Sequence, residues 1–196
     1  MSHPPQSADR DESFVRFLEE LAGRDDRAAL AALRRGLGKP PGSAAEMHRY
    51  VVPWLGQHSP PWQDDCLYMV AALFAHHPAN WQAADESELR NFGASFAVLQ
   101  RKPDSSESVE KRFVALLNCH RDELFPHLRH AVSILKSKEV RVDWLRLLKD
   151  IRSWDSESRY VQRAWSKAFW ASGGPASTQQ QQTEHNQTDD ESGNNN

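Results

Sequence analysis

The sequence predicts an all-α fold, and three observations carry that prediction. Apolar residues recur at intervals of three and four through most of the chain. Proline, glycine and acidic or hydroxyl residues interrupt these runs where helices would stop and start. No stretch alternates apolar and polar residues between hairpin turns, so no strand is expected. With 196 residues there is enough chain for a helical bundle with a real core, built as two small helical halves packed together.

The elements follow in order. Residues 1–12 show no apolar period and read as a disordered N-terminus. Phe14, Phe17, Leu18 and Leu21 form the first stripe, stopped at Gly23. Asp25 or Asp26 caps an Ala-rich second helix that ends near Arg35 and Gly36. Pro40, Pro41 and Gly42 make a turn, and Ser43 caps a short helix that Pro53 ends. Pro60 and Pro61 open a longer helix carrying Trp62, Leu67, Val70, Leu73 and Phe74, closed at His77 and Pro78. Leu89, Phe92, Phe96 and Leu99 mark the next. The turn at Lys102, Pro103, Asp104 and Ser105 divides an N-terminal half, residues 13–102, from a C-terminal half, residues 103–170. Ser106 caps a helix with Val109, Phe113, Leu116 and Leu117. Leu124, Leu128, Val132 and Leu135 define another, with Pro126 in its first turn. Residues 171–196 are polar and low in complexity, and read as a disordered tail.

Residues 142–170 hold four of the seven tryptophans, Trp144, Trp154, Trp165 and Trp170. Each aromatic can bury roughly 150–250 Å², so two short helices here contribute heavily to the core. Asp143 caps the first, with Trp144, Leu147, Leu148 and Ile151 on one face. Asp155 or Ser156 restarts the second, with Val161, Trp165, Ala168 and Phe169 inward. Arg159, Arg163, Lys167 and Trp170 fall opposite that stripe.

Net charge is −3, which by itself does not mark a nucleic-acid binder. Its distribution says more. Residues 101–170 hold 15 Lys and Arg against 10 Asp and Glu, whereas residues 1–100 hold 9 against 13. Basic surface gathered in one half can attract phosphate while the whole chain stays mildly acidic. Cys66 and Cys119 sit in apolar helical patterns and read as buried thiols, not as a disulfide framework. The longest apolar run, residues 66–75, is too short to cross a bilayer. The opening residues lack a secretory signal pattern, so a cytoplasmic protein without a membrane role is expected.

No catalytic pattern emerges. Nucleophile-elbow, dinucleotide-binding and phosphate-loop sequences are missing. Cys119, His120, His127 and His130 are the nearest thing to a metal set. Pro126 interrupts the helix they would need, and their spacing matches no zinc signature. No enzyme, cofactor or metal is therefore expected. What remains is binding. Arg34, Arg35, Arg49, Lys111, Arg112, Arg121, Arg129, Lys149 and Arg152 suit a cationic track on a bundle, with Arg159 and Arg163 as substitutes. Such a track holds nucleic-acid backbone without reading bases.

Particular residues also carry a family resemblance. Asp143-Trp144 opening a Leu-rich helix, then Trp154, a polar turn and a final helix ending in aromatics, resembles the C-terminus of CasB. CasB is the small subunit of the type I-E CRISPR complex Cascade. Arg49, Val51 and Pro53 resemble the family's Arg-x-Val-x-Pro stretch, and the Arg34-Arg35 and Lys111-Arg112 pairs fall where it carries basic residues. The likeness spans roughly residues 13–170. It implies a non-catalytic antiviral subunit that assembles with guide RNA and other Cascade subunits and with a second copy of itself. It also implies contacts to target DNA, including the displaced strand, that stabilise the R-loop. The competing reading is a protein–protein adaptor anchored by Trp170.

Overall fold

A computed structural model describes residues 7–81, 91–103 and 108–171. These form nine α-helices among the described residues: α1 Ser7–Gly23, α2 Arg27–Arg34, α3 His48–Val51, α4 Pro61–His76, α5 Phe92–Gln100, α6 Ser108–Asn118, α7 Leu124–Ser137, α8 Trp144–Arg152 and α9 Tyr160–Ala171. Short 3₁₀ turns at Ala45–Met47, Val52–Trp54 and Arg121–Glu123 join them. Among the described residues no strand forms; Asn80 and Val142 share an isolated parallel bridge. The all-α expectation holds.

Two helices organise the core. In α4 every residue from Cys66 to Ala75 is buried, and in α5 all but Val98 and Gln100 are. A helix that is apolar on every side must be surrounded. Helices α1, α2, α7 and α8 surround α4, while α6, α7 and α9 surround α5. The closest pairing is α5 on α9, and Gly93 makes it possible: a Cβ there would overlap the Trp165 backbone carbonyl. Phe92, Phe96, Phe113, Trp154, Trp165 and Phe169 then form a chain of aromatic contacts with centroids 4.5–5.5 Å apart.

The helices pack across the 102–103 turn as well as on either side of it. Helix α8, from the C-terminal half, packs on α1 and α4; α5, from the N-terminal half, packs on α9 and α6. One hydrophobic cluster runs through both halves. Burial of the two all-apolar helices, each needing partners on every side, explains the exchange.

Of the expected caps, Asp26 and Asp143 form, and Asn91 caps α5 where no cap was expected. Asp26, Asn91 and Asp143 accept from the backbone N–H of Ala29, Ala94 and Arg146 at 2.9, 3.1 and 2.8 Å. Four boundaries differ. Helix α1 begins at Ser7, before residue 13, because Asp11 is drawn inward to Arg152. Ser43 bonds back to the Pro40 carbonyl and leaves Ala44 as an uncapped helix start. Pro53 sits within a 3₁₀ turn that continues from α3, where its missing N–H is tolerated. Helix α9 starts at Tyr160 and not near Asp155. There the Trp154 indole donates to the Cys119 carbonyl (3.1 Å), Gln162 donates to the Trp154 carbonyl (2.8 Å), and Arg159 takes φ 49°. These contacts hold the connection open for one more turn. The expectations on residues 1–6, Leu89, Asp104, Ser105, Ser106 and 172–196 lie outside the described residues.

Candidate nucleic-acid interface

Three helices converge at one cationic corner. Arg34 ends α2, His76 ends α4, and Arg129, Ser133 and Lys136 share one face of α7 at helical spacing. Ser133 ties the corner together: its hydroxyl lies 3.3 Å from His76 Nε2 and donates to the Arg129 carbonyl at 2.8 Å. Gly38, at φ 75°, lies against the Arg129 guanidinium, so a Cβ there would collide with it. Arg34 Nε donates to the Leu30 carbonyl, which fixes the stem and leaves the outer nitrogens available.

The electrostatics are one-sided. Burial lowers the His76 pKa, and Lys136, His77, Arg34 and Arg129 lower it further. The C-terminal end of α4 would favour a positive imidazole, yet burial and then the surrounding cations prevail. Among the described residues no carboxylate pairs with Arg34, Arg129 or Lys136. A cluster of cations without counter-charge attracts phosphate.

The other expected residues are placed differently. Arg35 is ion-paired with Glu46 at 2.9 Å on the surface. Arg49 lies over the ring of its neighbour Tyr50, 4.4 Å from the centroid, and also donates to the Tyr50 hydroxyl. Arg121 bridges Asp155 (3.1 Å) and the face of Trp62 (5.1 Å). Lys111 and Arg112 are exposed on α6, and Lys149 is exposed on α8. Arg152 departs most from expectation. Only 17% of its side chain is exposed, and it meets the buried Asp11 at 2.9 Å, so it is held inside. Of the substitutes, Arg159 is anchored to the Leu117 carbonyl at 2.6 Å, and Arg163 is exposed.

The structure thus brings Arg34 and Arg129 together and adds Lys136 and His76, which sequence reasoning left out. The spacing of Arg129, Ser133 and Lys136 was visible in the sequence. The position of His76 beside them depended on the fold.

Cys119 is buried, its thiol pushed up to about 11 by burial. His120 precedes the 3₁₀ turn, whereas His127 and His130 lie on α7, so the four do not share a helix. Among the described residues no three such side chains gather as a metal site, and no helix is long and apolar enough to cross a membrane. Trp170, the expected docking anchor, is 42% exposed. It packs on Phe113 and Phe169 and its indole lies 3.4 Å from Glu110, which makes it a strut between α6 and α9.

Fold and surface together define an all-helical protein: two buried apolar helices carry a shell of amphipathic ones, and cations from two of these, α2 and α7, gather with no carboxylate paired to them among the described residues. The particular family follows from comparison. The family model for CRISPR-associated protein Cse2 matches residues 29–170. A curated CRISPR-associated protein Cse2 from Thermus thermophilus is 36% identical over 167 residues, covering 83% of this chain and 90% of the relative. The chain belongs to the Cse2 family, also called CasB. A crystal structure of the Thermus thermophilus Cse2-family protein superposes with a TM-score of 0.70 at 33% identity, covering 82% of this chain and 97% of that one. CasB from M. ruber gives 0.68 at 30% identity, with 84% and 94% covered. A chain of a CRISPR RNA-guided surveillance complex gives 0.71 at 26% identity, with 85% and 95% covered.

Proposed function

We propose that this chain is the small, non-catalytic subunit of a CRISPR RNA-guided surveillance complex and that it holds nucleic-acid backbone by charge. In this reading its partners are the other subunits with their guide RNA, a second copy of itself, and target DNA including the displaced strand, in the cytoplasm. The observation that carries the reading is the corner where Arg34 of α2 and Arg129 and Lys136 of α7 meet around His76 with, among the described residues, no carboxylate paired to them. In this reading Lys111, Arg112, Arg49 and Arg35 are further backbone-contacting cations outside the corner. R-loop formation is a near-balanced strand exchange, so modest backbone contacts can tip it. Guide pairing supplies the sequence specificity; this subunit supplies position and charge.

The test is target-DNA binding by the reconstituted complex at several salt concentrations, with the wild-type subunit and with Arg34, Arg129 and Lys136 changed to glutamine. The expected result is weaker binding on all sequences alike. The log–log salt slope should fall by about 0.7 for each single-strand phosphate that is no longer neutralised. Unchanged affinity and slope, with the variant subunit present in the complex, would overturn the proposal and favour a purely protein-docking role.

A further inference from the structure

Helix α9 turns an aromatic and cationic face to solvent. Tyr160, Arg163, Lys167 and Trp170 are all exposed and follow one another at helical spacing. At about 100° per residue they fall within about a quarter of the helix circumference, opposite the buried Val161, Trp165, Ala168 and Phe169. Helix α6 runs antiparallel beside α9. Trp170 meets Phe113 and Glu110 at one end, and Arg159 donates to the Leu117 carbonyl at the other. Val114 lies one turn after Glu110 on the same side of α6, so it borders this face. Tyr160, Trp170 and Val114 are 47%, 42% and 38% exposed, and Val52 is the one other large apolar side chain left in solvent among the described residues. Exposed apolar residues gathered on one surface mark a binding site, where scattered ones would not.

The order of residues along this face narrows what fits. The two rings stand at its ends, about 15 Å apart along the axis, with the two cations between them. Among the described residues no carboxylate pairs with Arg163 or Lys167, and Tyr160 has no hydrogen-bond or ring partner. Glu110 sits against the Trp170 indole and not against a cation. A partner helix docking by an apolar stripe would desolvate both cations without counter-charge, which is costly. A nucleic-acid strand carries phosphates and flat base faces together, and so supplies both. Surfaces that hold single strands combine cations for the backbone with rings on which bases stack. The span of about 15 Å is about four nucleotides at the stacked rise of 3.4 Å per strand, and fewer in an extended strand. A duplex keeps its base faces stacked inside and offers these rings nothing.

We propose that the α9 face is a stacking platform for single-stranded nucleic acid, with bases against Tyr160 and Trp170 and the intervening phosphates at Arg163 and Lys167. Phe113 and Phe169 already hold the Trp170 ring, so little side-chain freedom is lost when a base stacks on it. Every base has a π-face, so the platform tolerates any sequence. It is separate from the cationic corner on α2, α4 and α7, and it rests on the proposed function only in taking a nucleic-acid strand as its ligand. It adds what charge alone does not supply, a preference for unpaired bases over duplex.

The test measures binding of the full chain to a mixed-sequence DNA single strand about 12 nucleotides long, within the usual site size of such surfaces. An abasic strand of equal length and charge and the matching duplex are measured beside it, at several salt concentrations. The base-bearing strand should bind roughly 25-fold or more tighter than the abasic one, about fivefold for each of two stacked bases. Tyr160→Ala should reduce that preference about fivefold at unchanged salt slope, and Tyr160→Phe should keep it. Arg163→Gln with Lys167→Gln should weaken both single strands alike and lower the log–log slope by about 0.7 per cation. The second ring is followed by fluorine NMR of the chain carrying 5-fluorotryptophan, with the Trp170 signal assigned by Trp170→Phe. The base-bearing strand should shift that signal and the abasic strand should not, a readout on the unaltered chain that does not depend on how the variants fold. Equal binding of the two single strands, duplex binding as tight as the single strand, or a full preference in Tyr160→Ala would overturn the inference. So would a Trp170 signal that moves with protein concentration and not with the strand, which would make the face an interface between copies. The proposed function fails separately: equal binding of the two strands with a preserved salt slope removes the platform and leaves binding by charge intact.

Discussion

Trp144 is fully buried, lies edge-on to Phe74 at 5.7 Å, and donates from its indole to the Ala79 carbonyl at 3.3 Å. Trp144→Ala should cost about 3–5 kcal/mol in urea unfolding. Removing the neighbouring cap with Asp143→Ala should cost about 1 kcal/mol. A Trp144→Ala protein of unchanged stability would mean that the ring belongs to an interface and not to the core. His76 gives a prediction in pH. Its folded pKa lies below its unfolded value, so the unfolded chain takes up the proton first. Stability then falls as pH drops through the unfolded value near about 6.5. His76→Gln lacks this proton, so wild type should lose stability relative to the variant between about pH 7 and pH 5. Thermal melts across that range would check it, and a parallel response of the two proteins would contradict it.

At the scale of elements, two meetings between helices are most open to test. Gly93 lets α5 approach the backbone of α9, and Gly93→Ala should cost about 1–3 kcal/mol as the helices are forced apart. The first turn of α1 matters for another reason. Asp11 neutralises the largely buried Arg152, and removing one partner of such a pair costs up to about 3–5 kcal/mol. A chain trimmed to residues 7–171 should therefore keep the stability of the full chain in chemical denaturation. A chain trimmed to 13–171 should lose much of it. Equal stability of the two would show that the ion pair contributes nothing. This pairing was not legible in the sequence, because Asp11 and Arg152 are distant in the chain and each looks like an ordinary surface charge.

At the scale of the molecule, charge counts do not rank the arginines; partners do. Arg35 and Arg121 already face carboxylates, whereas Arg34 and Arg129 face other cations. Substituting the second pair should reduce the salt slope of DNA binding by the complex more than substituting the first. An equal effect would mean that the ion pairs open on binding, as exposed pairs worth about 0–1 kcal/mol readily could.

The sequence by itself determined the helical class, the caps at Asp26 and Asp143, the buried run of α4 and the tryptophan-rich end, because each depends on residues within a turn or two of one another. It also carried the family resemblance, in Arg49 with Val51 and Pro53 and in Asp143 with Trp144. The tertiary structure decided which halves exchange helices, that Arg152 turns inward to Asp11, and that His76 and Lys136 join Arg34 and Arg129. Those outcomes depend on pairs far apart in sequence, brought together when two helices that are apolar on every side find enough partners to be buried.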